Sequence, residues 1–214
     1  MPFVNRLLIV VGLLVLTGCG ILPERPAKEA AKATAAPATP VVTATELPVK
    51  PQWQHAYDQA LATLRGGQTG EAERKLLALT REAPDLSGPY ANLGLLYRNA
   101  GRNVEAIAAF ERAIEINPKR AVYYNELGIS YRLEGKFDRA RQSYRQAIDL
   151  DPQYAAAYLN LGILYDLYLQ DPKEALPYYQ RYRELAPADG AMVSKWIIDL
   201  ERRTGAKGSK EKNG

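Results

Sequence analysis

The chain has 214 residues, a formal net charge of +4 and 24% charged residues. Charges of both signs in this proportion describe a solvated surface and argue against a nucleic-acid footprint. A single Cys excludes an intramolecular disulfide, so the compartment has to be read from the N-terminus.

Residues 1–18 carry one positive charge at Arg6, an apolar run from Leu7 to Leu16, and then Thr17-Gly18 ahead of Cys19. The run is too short to cross a bilayer, which takes about 20 residues in a helix, so it reads as a secretory signal peptide. Leu16-Thr17-Gly18-Cys19 resembles a bacterial lipobox. That resemblance implies cleavage before Cys19, a diacylglycerol on its sulfur and an acyl chain on the new amino terminus. The covalent lipid on Cys19 is then the only non-protein group expected, with no cofactor. Several acyl chains at about 0.8 kcal/mol per buried CH₂ anchor a protein to a membrane without spanning it. By resemblance to Gram-negative lipoproteins, Gly20 in place of Asp after Cys19 implies the outer membrane, facing the periplasm.

Residues 19–51 are rich in Ala, Thr and Pro, with Pro23, Pro26, Pro37, Pro40, Pro48 and Pro51 interrupting any helix. Such a composition buries too little apolar surface to offset its ordering entropy, which predicts an extended, disordered tether. At about 3 Å per residue it reaches on the order of 90 Å.

Residues 52–189 repeat. Tyr90, Leu93, Gly94, Tyr97, Ala106, Phe110, Ala113 and Pro118 recur 34 positions later as Tyr124, Leu127, Gly128, Tyr131, Ala140, Tyr144, Ala147 and Pro152. A third copy keeps Tyr158, Leu161, Gly162 and Tyr165, gains one residue, and resumes with Ala175, Tyr179, Tyr182 and Pro187. These columns resemble the tetratricopeptide repeat (TPR) in residue type and period. The fold class implied is all-α, a solenoid of helix-turn-helix repeats over about 53–86, 87–120, 121–154 and 155–189. The divergent first repeat suits a solenoid end, with Trp53 and Tyr57 expected to cover it. Tyr90, Leu93, Gly94 and Tyr97 form one helical stripe, and a mid-helix Gly costs about 1 kcal/mol relative to Ala. Its recurrence predicts a close contact, with Ala106, Ala140 or Ala175 as the expected partner. Asp171-Pro172 reads as an N-cap and first-turn Pro, and Pro177 as the site of a kink. Residues 190–205 form a capping helix, and 206–214 a disordered polar tail.

Chemistry is sparse. His55 is the one His, Cys19 is expected to be acylated, and no phosphate-binding loop occurs, so neither a familiar zinc site nor a nucleophile pair can be built. The expectation is a protein that is not an enzyme, with no metal, no small-molecule substrate and no nucleic acid.

The first helices carry a second set of residues opposite the core stripe: Asn92, Leu95 and Asn99; Glu126, Ile129 and Leu133; Asn160, Ile163 and Leu167. A helix apolar on two sides is flanked on two sides or presents a binding face. In TPR proteins this side lines a concave groove, and Asn in this column often holds an extended peptide. The resemblance therefore implies a partner-binding groove of Asn92, Arg98, Asn125, Arg132 and Asn160. Gly88, Ala91, Val122 and Ala156 stand where chaperone-binding TPRs place charges, which disfavours that role. The expected function is a lipid-anchored scaffold in the bacterial envelope with protein partners. It resembles TPR lipoproteins of pilus or secretin assembly, and a peptidoglycan-associated adaptor for cell-wall hydrolases or a direct glycan binder is the alternative.

Overall fold

The computed structural model describes residues 49–205. The signal peptide, Cys19, most of the tether and the tail fall outside the described residues. Within them lie α1 (Pro51–Arg65), α2 (Thr69–Glu82), α3 (Ser87–Asn99), α4 (Asn103–Ile116), α5 (Ala121–Leu133), α6 (Phe137–Leu150), α7 (Ala155–Ile163), α8 (Pro172–Leu185) and α9 (Gly190–Thr204). A single π-helical turn, Leu164–Tyr168, follows α7, and Pro187–Asp189 is a short 3₁₀ turn. No helix among the described residues is long and apolar enough to cross a membrane.

The helices pair antiparallel as α1/α2, α3/α4, α5/α6 and α7/α8, each pair packing on the next. The breaks within pairs depend on a left-handed residue. Gly101 and Gly135 take φ of 76° and 69°, a conformation open to Gly at no steric cost. It turns the chain so that the Arg102 N–H donates to the Tyr97 carbonyl at 2.8 Å, and the Lys136 N–H to that of Tyr131 at 2.9 Å.

In the third pair the extra residue is absorbed inside the helix. The Leu169 N–H bonds back five residues to the Leu164 carbonyl, a π-type closure, and Gln170 adopts φ 55° where the other repeats have Gly. The closing bond survives, Asp171 N–H to the Tyr165 carbonyl at 2.8 Å. One inserted residue thus becomes a π-bulge. The Asp171 side chain caps α8 by accepting from the Glu174 N–H at 3.1 Å, and α8 runs as one unbroken helix through Pro177.

The close approach at the mid-helix glycines differs from the expected one. A Cβ built on Gly94 would lie 2.8 Å from the ring of Phe110; on Gly128, 2.6 Å from Tyr144; on Gly162, 2.6 Å from Tyr179. The partner is the aromatic ring one helical turn beyond Ala106, Ala140 and Ala175. The small alanines are fully buried and let the helices close, and the ring then lies against the glycine.

Tyr57 also departs from expectation. It does not cover the free end of the stack but faces inward, its hydroxyl 2.6 Å from the Asn92 amide on α3. Together with Leu61, Leu76, Leu79, Leu93 and Leu96 it forms a smaller core under the first repeat, partly overlaid by Trp53. The larger core runs from Ala91 to Leu200, where Val193, Ile197 and Leu200 of α9 seal it.

Candidate functional site

The first helices of successive repeats, α3, α5 and α7, approach one another more closely than α4, α6 and α8 do. The stack therefore curves with the first helices on its inner side. Leu61, Leu95, Ile129 and Ile163 recur along that side and are all buried, so the middle of the second apolar stripe is closed by first helices packing on each other, while Leu133 stays half exposed.

The polar residues beside this column are buried as well. The Asn92 amide nitrogen donates to the Gly88 carbonyl at 3.0 Å and to the Tyr57 hydroxyl. A carbonyl can only accept, so the amide orientation is fixed and Oδ1 is left without a partner. The same logic runs through the next pair. The Asn125 amide donates to the Glu126 carboxylate at 3.1 Å, so its oxygen faces Asn160 and accepts from that amide at 2.9 Å. Asn160 Oδ1 is then a second unpartnered acceptor on this face; the third among the described residues, Asn103 Oδ1, lies at the start of α4. Asn92 and Asn160 occupy the same column two repeats apart, and a buried acceptor left unmet costs about 1–3 kcal/mol.

The arginines continue this face. Arg98 forms a short ion pair with Glu126 of α5 and lies over the ring of Phe110. Arg132 donates from Nε to the Tyr144 hydroxyl at 3.3 Å and from a terminal nitrogen to the Tyr168 hydroxyl at 2.8 Å. In the third repeat the column holds Asp166, which meets Arg203 of α9 at 3.3 Å. Burial raises the pKa of the Tyr154 hydroxyl, and the neighbouring carboxylates of Glu126 and Asp151 raise it further. Tyr154 thus stays neutral beside Asn125.

The structure accordingly joins Asn125 to Asn160 directly and links Arg98 to Asn125 through Glu126. Asn92 stands apart with Tyr57, and Arg132 with Tyr144 and Tyr168. Tyr57, Glu126, Tyr154 and Tyr168 also belong to this face, beyond the five residues that the resemblance implies. The Arg-to-Asp reversal at Asp166 was visible in the columns and points to Arg203. His55 is exposed and pairs with Gln59 at 2.8 Å. Among the described residues, no three His, Cys, Asp or Glu side chains gather to hold a metal.

Comparison with known proteins agrees with this architecture. A TPR-repeat family model matches residues 129–166, and tetratricopeptide-repeat models match 89–120, 109–142 and 156–189. Tetratricopeptide repeats thus run through residues 89–189 of the chain. No curated protein matches its sequence. Among solved structures it is similar to a MamA protein, at 21% identity and TM-score 0.65 over 75% of this chain and 86% of that one. It is also similar to pilF of Pseudomonas aeruginosa, at 19% identity and TM-score 0.64 over 72% and 69% of the two chains. A third similarity is to an O-GlcNAc transferase of Thermobaculum terrenum, at 24% identity and TM-score 0.58 over 65% of this chain and 27% of that one. At these identities the likeness is one of fold.

Proposed function

We propose that this protein is a non-catalytic platform of the bacterial envelope, anchored by a lipid on Cys19 to the periplasmic face of the outer membrane, as Gly20 after it implies, and that its concave side holds a segment of a partner protein. Asn92, Arg98, Asn125, Arg132 and Asn160 are the contacts. The observation that carries this reading is the pair of unfilled acceptors, Asn92 Oδ1 and Asn160 Oδ1, in one column of the inner face. Both oxygens are closed off from solvent, so a partner N–H meets either one only where neighbouring first helices part, and there it removes a desolvation cost that the free protein bears. The assembly of a pilus or secretion complex is the setting we favour, because the sequence resembles lipoproteins of that kind and the tether lets the repeats stand away from the lipid.

The test is crosslinked recovery of partners from membranes. Changing Asn92, Asn125 and Asn160 together to Ala is expected to abolish recovery with helicity retained. Because these side chains are buried, Leu133→Lys at the 50% exposed position on the same helix row provides a variant that leaves the core intact. Unchanged recovery in both variants overturns the groove reading. Cys19→Ser is expected to release the protein from membranes, and continued sedimentation with them overturns the anchor.

A further inference from the structure

We propose that Arg132 is an anion seat, and that the partner segment brings a carboxylate to it; this deepens the concave-face reading and rests on it. Two charged side chains are buried among the described residues, Arg132 at 3% exposure and Asp166 at 6%. Asp166 has the guanidinium of Arg203 beside it. Arg132 has only neutral oxygens, the hydroxyls of Tyr144 and Tyr168, with the Tyr168 ring 5.1 Å from its guanidinium carbon. The nearby acid on its own helix, Glu126, is taken by Arg98. Two guanidiniums and one carboxylate leave this part of the face with one excess positive charge.

A buried charge without a counter-charge is costly to keep, and the fold does not require it. The next repeat places Asp166 in the same column, and the preceding repeat has Phe110 where Tyr144 stands, so the ring packs without a hydroxyl for arginine to bind. The cover over Arg132 is also slight. Tyr168 sits on the π-turn, 37% exposed, and tilts against Phe137 at 5.4 Å. An incoming carboxylate replaces its hydroxyl on the arginine, exchanging a neutral hydrogen bond for a charge-assisted one about twice as strong. A single excess positive charge matches a monoanion, which favours a carboxylate over a phosphate. Leu133, half exposed and next in the chain, adds apolar surface, so the fitted feature is an acidic residue with an apolar neighbour.

The experiment follows the Arg132 Nε–H and the Tyr168 ring signals by NMR in the full chain. The probes are the blocked peptide Ac-Gly-Leu-Glu-Gly-NH₂, its Gln counterpart, and inorganic phosphate, at constant ionic strength. The Glu peptide is expected to give saturable shifts that the Gln peptide does not, and Arg132→Gln to abolish them. Tyr168→Phe removes the competing acceptor at a surface position and is expected to lower the half-saturating concentration about threefold. Equal response to the two peptides, saturation by phosphate alone, or an unchanged midpoint in Tyr168→Phe overturns the assignment. The two readings fail separately. Partner recovery that survives the concave-face substitutions sinks the platform, whereas a silent Arg132 in a protein that still recovers partners through this face sinks only the carboxylate seat.

Discussion

Gly128 lies so close to Tyr144 that a Cβ on it would stand 2.6 Å from the ring. Gly128→Ala forces α5 and α6 apart and is expected to cost about 1–3 kcal/mol, although Ala is favoured over Gly in a helix by roughly 1 kcal/mol. Gly70, in the first turn of α2 with nothing within 4 Å of its Cβ position, makes the control. Gly70→Ala is expected to stabilise by about 0.5–1 kcal/mol. Urea denaturation of both variants checks the pair, and equal effects would show that the ring yields without cost.

How much of this was legible follows from what a repeat does to sequence. The Tyr-Leu-Gly-Tyr stripe was readable because the same packing recurs and core positions become periodic. The partner of Gly128 was not, because Ala140 and Tyr144 share one helical face a turn apart and the pattern does not say which of them faces the glycine. The extra residue of the third repeat was countable, but its absorption as a π-turn depends on keeping the bond from Asp171 to Tyr165. The asparagines were assigned to the correct helices, yet their burial arises where neighbouring first helices meet. Spacing within one helix carries no record of that curvature.

Burial pushes the Tyr144 hydroxyl up to about 12 from an ordinary value of 10. Between these values the unfolded chain loses the phenolic proton while the folded protein keeps it, so stability is complete below pH 10 and falls as pH rises through that window. At 1.36 kcal/mol per unit the loss is about 2–3 kcal/mol. In Tyr144→Phe that share of the alkaline decline is expected to vanish, leaving what other tyrosines such as the half-buried Tyr154 contribute, whose pKa is raised in the same direction. Phe110 in the preceding repeat indicates that Phe packs at this column. Denaturation at pH 8, 10 and 11.5 provides the measurement, and parallel declines in the two proteins would contradict it.

Gln170 pays a conformational cost that Gly101 and Gly135 avoid. It is the one non-glycine residue with positive φ among the described residues, at 55°, and a side chain in this region costs roughly 1–2 kcal/mol. Gln170→Gly is expected to raise stability by about 0.5–1 kcal/mol, after allowing for the entropy that Gly adds to the unfolded chain. The converse exchange, Gly135→Gln, is expected to destabilise by a similar amount. Thermal unfolding that moves both variants the same way would show that the π-turn, not the left-handed residue, sets the energy of this break.

Arg203 ties the last helix to the third repeat through Asp166. The carboxylate is 6% exposed, whereas the Arg203 side chain is 36% exposed and also lies 3.6 Å from Asp199. Removing the arginine leaves Asp166 buried without this cation, a loss softened by water at the exposed side. Arg203→Ala is therefore expected to cost about 1–2 kcal/mol, below the range for a fully buried pair. Asp166→Asn in the same background should recover part of that loss, because no buried charge remains to be neutralised. The effect is also local: amide exchange should quicken in α9 and around the π-turn while α3 and α4 keep their protection. A double-mutant cycle gives the coupling directly. Coupling near zero with uniform exchange along the chain would mean that α9 is held by Val193, Ile197 and Leu200 alone, and that the arginine column ends in an incidental contact.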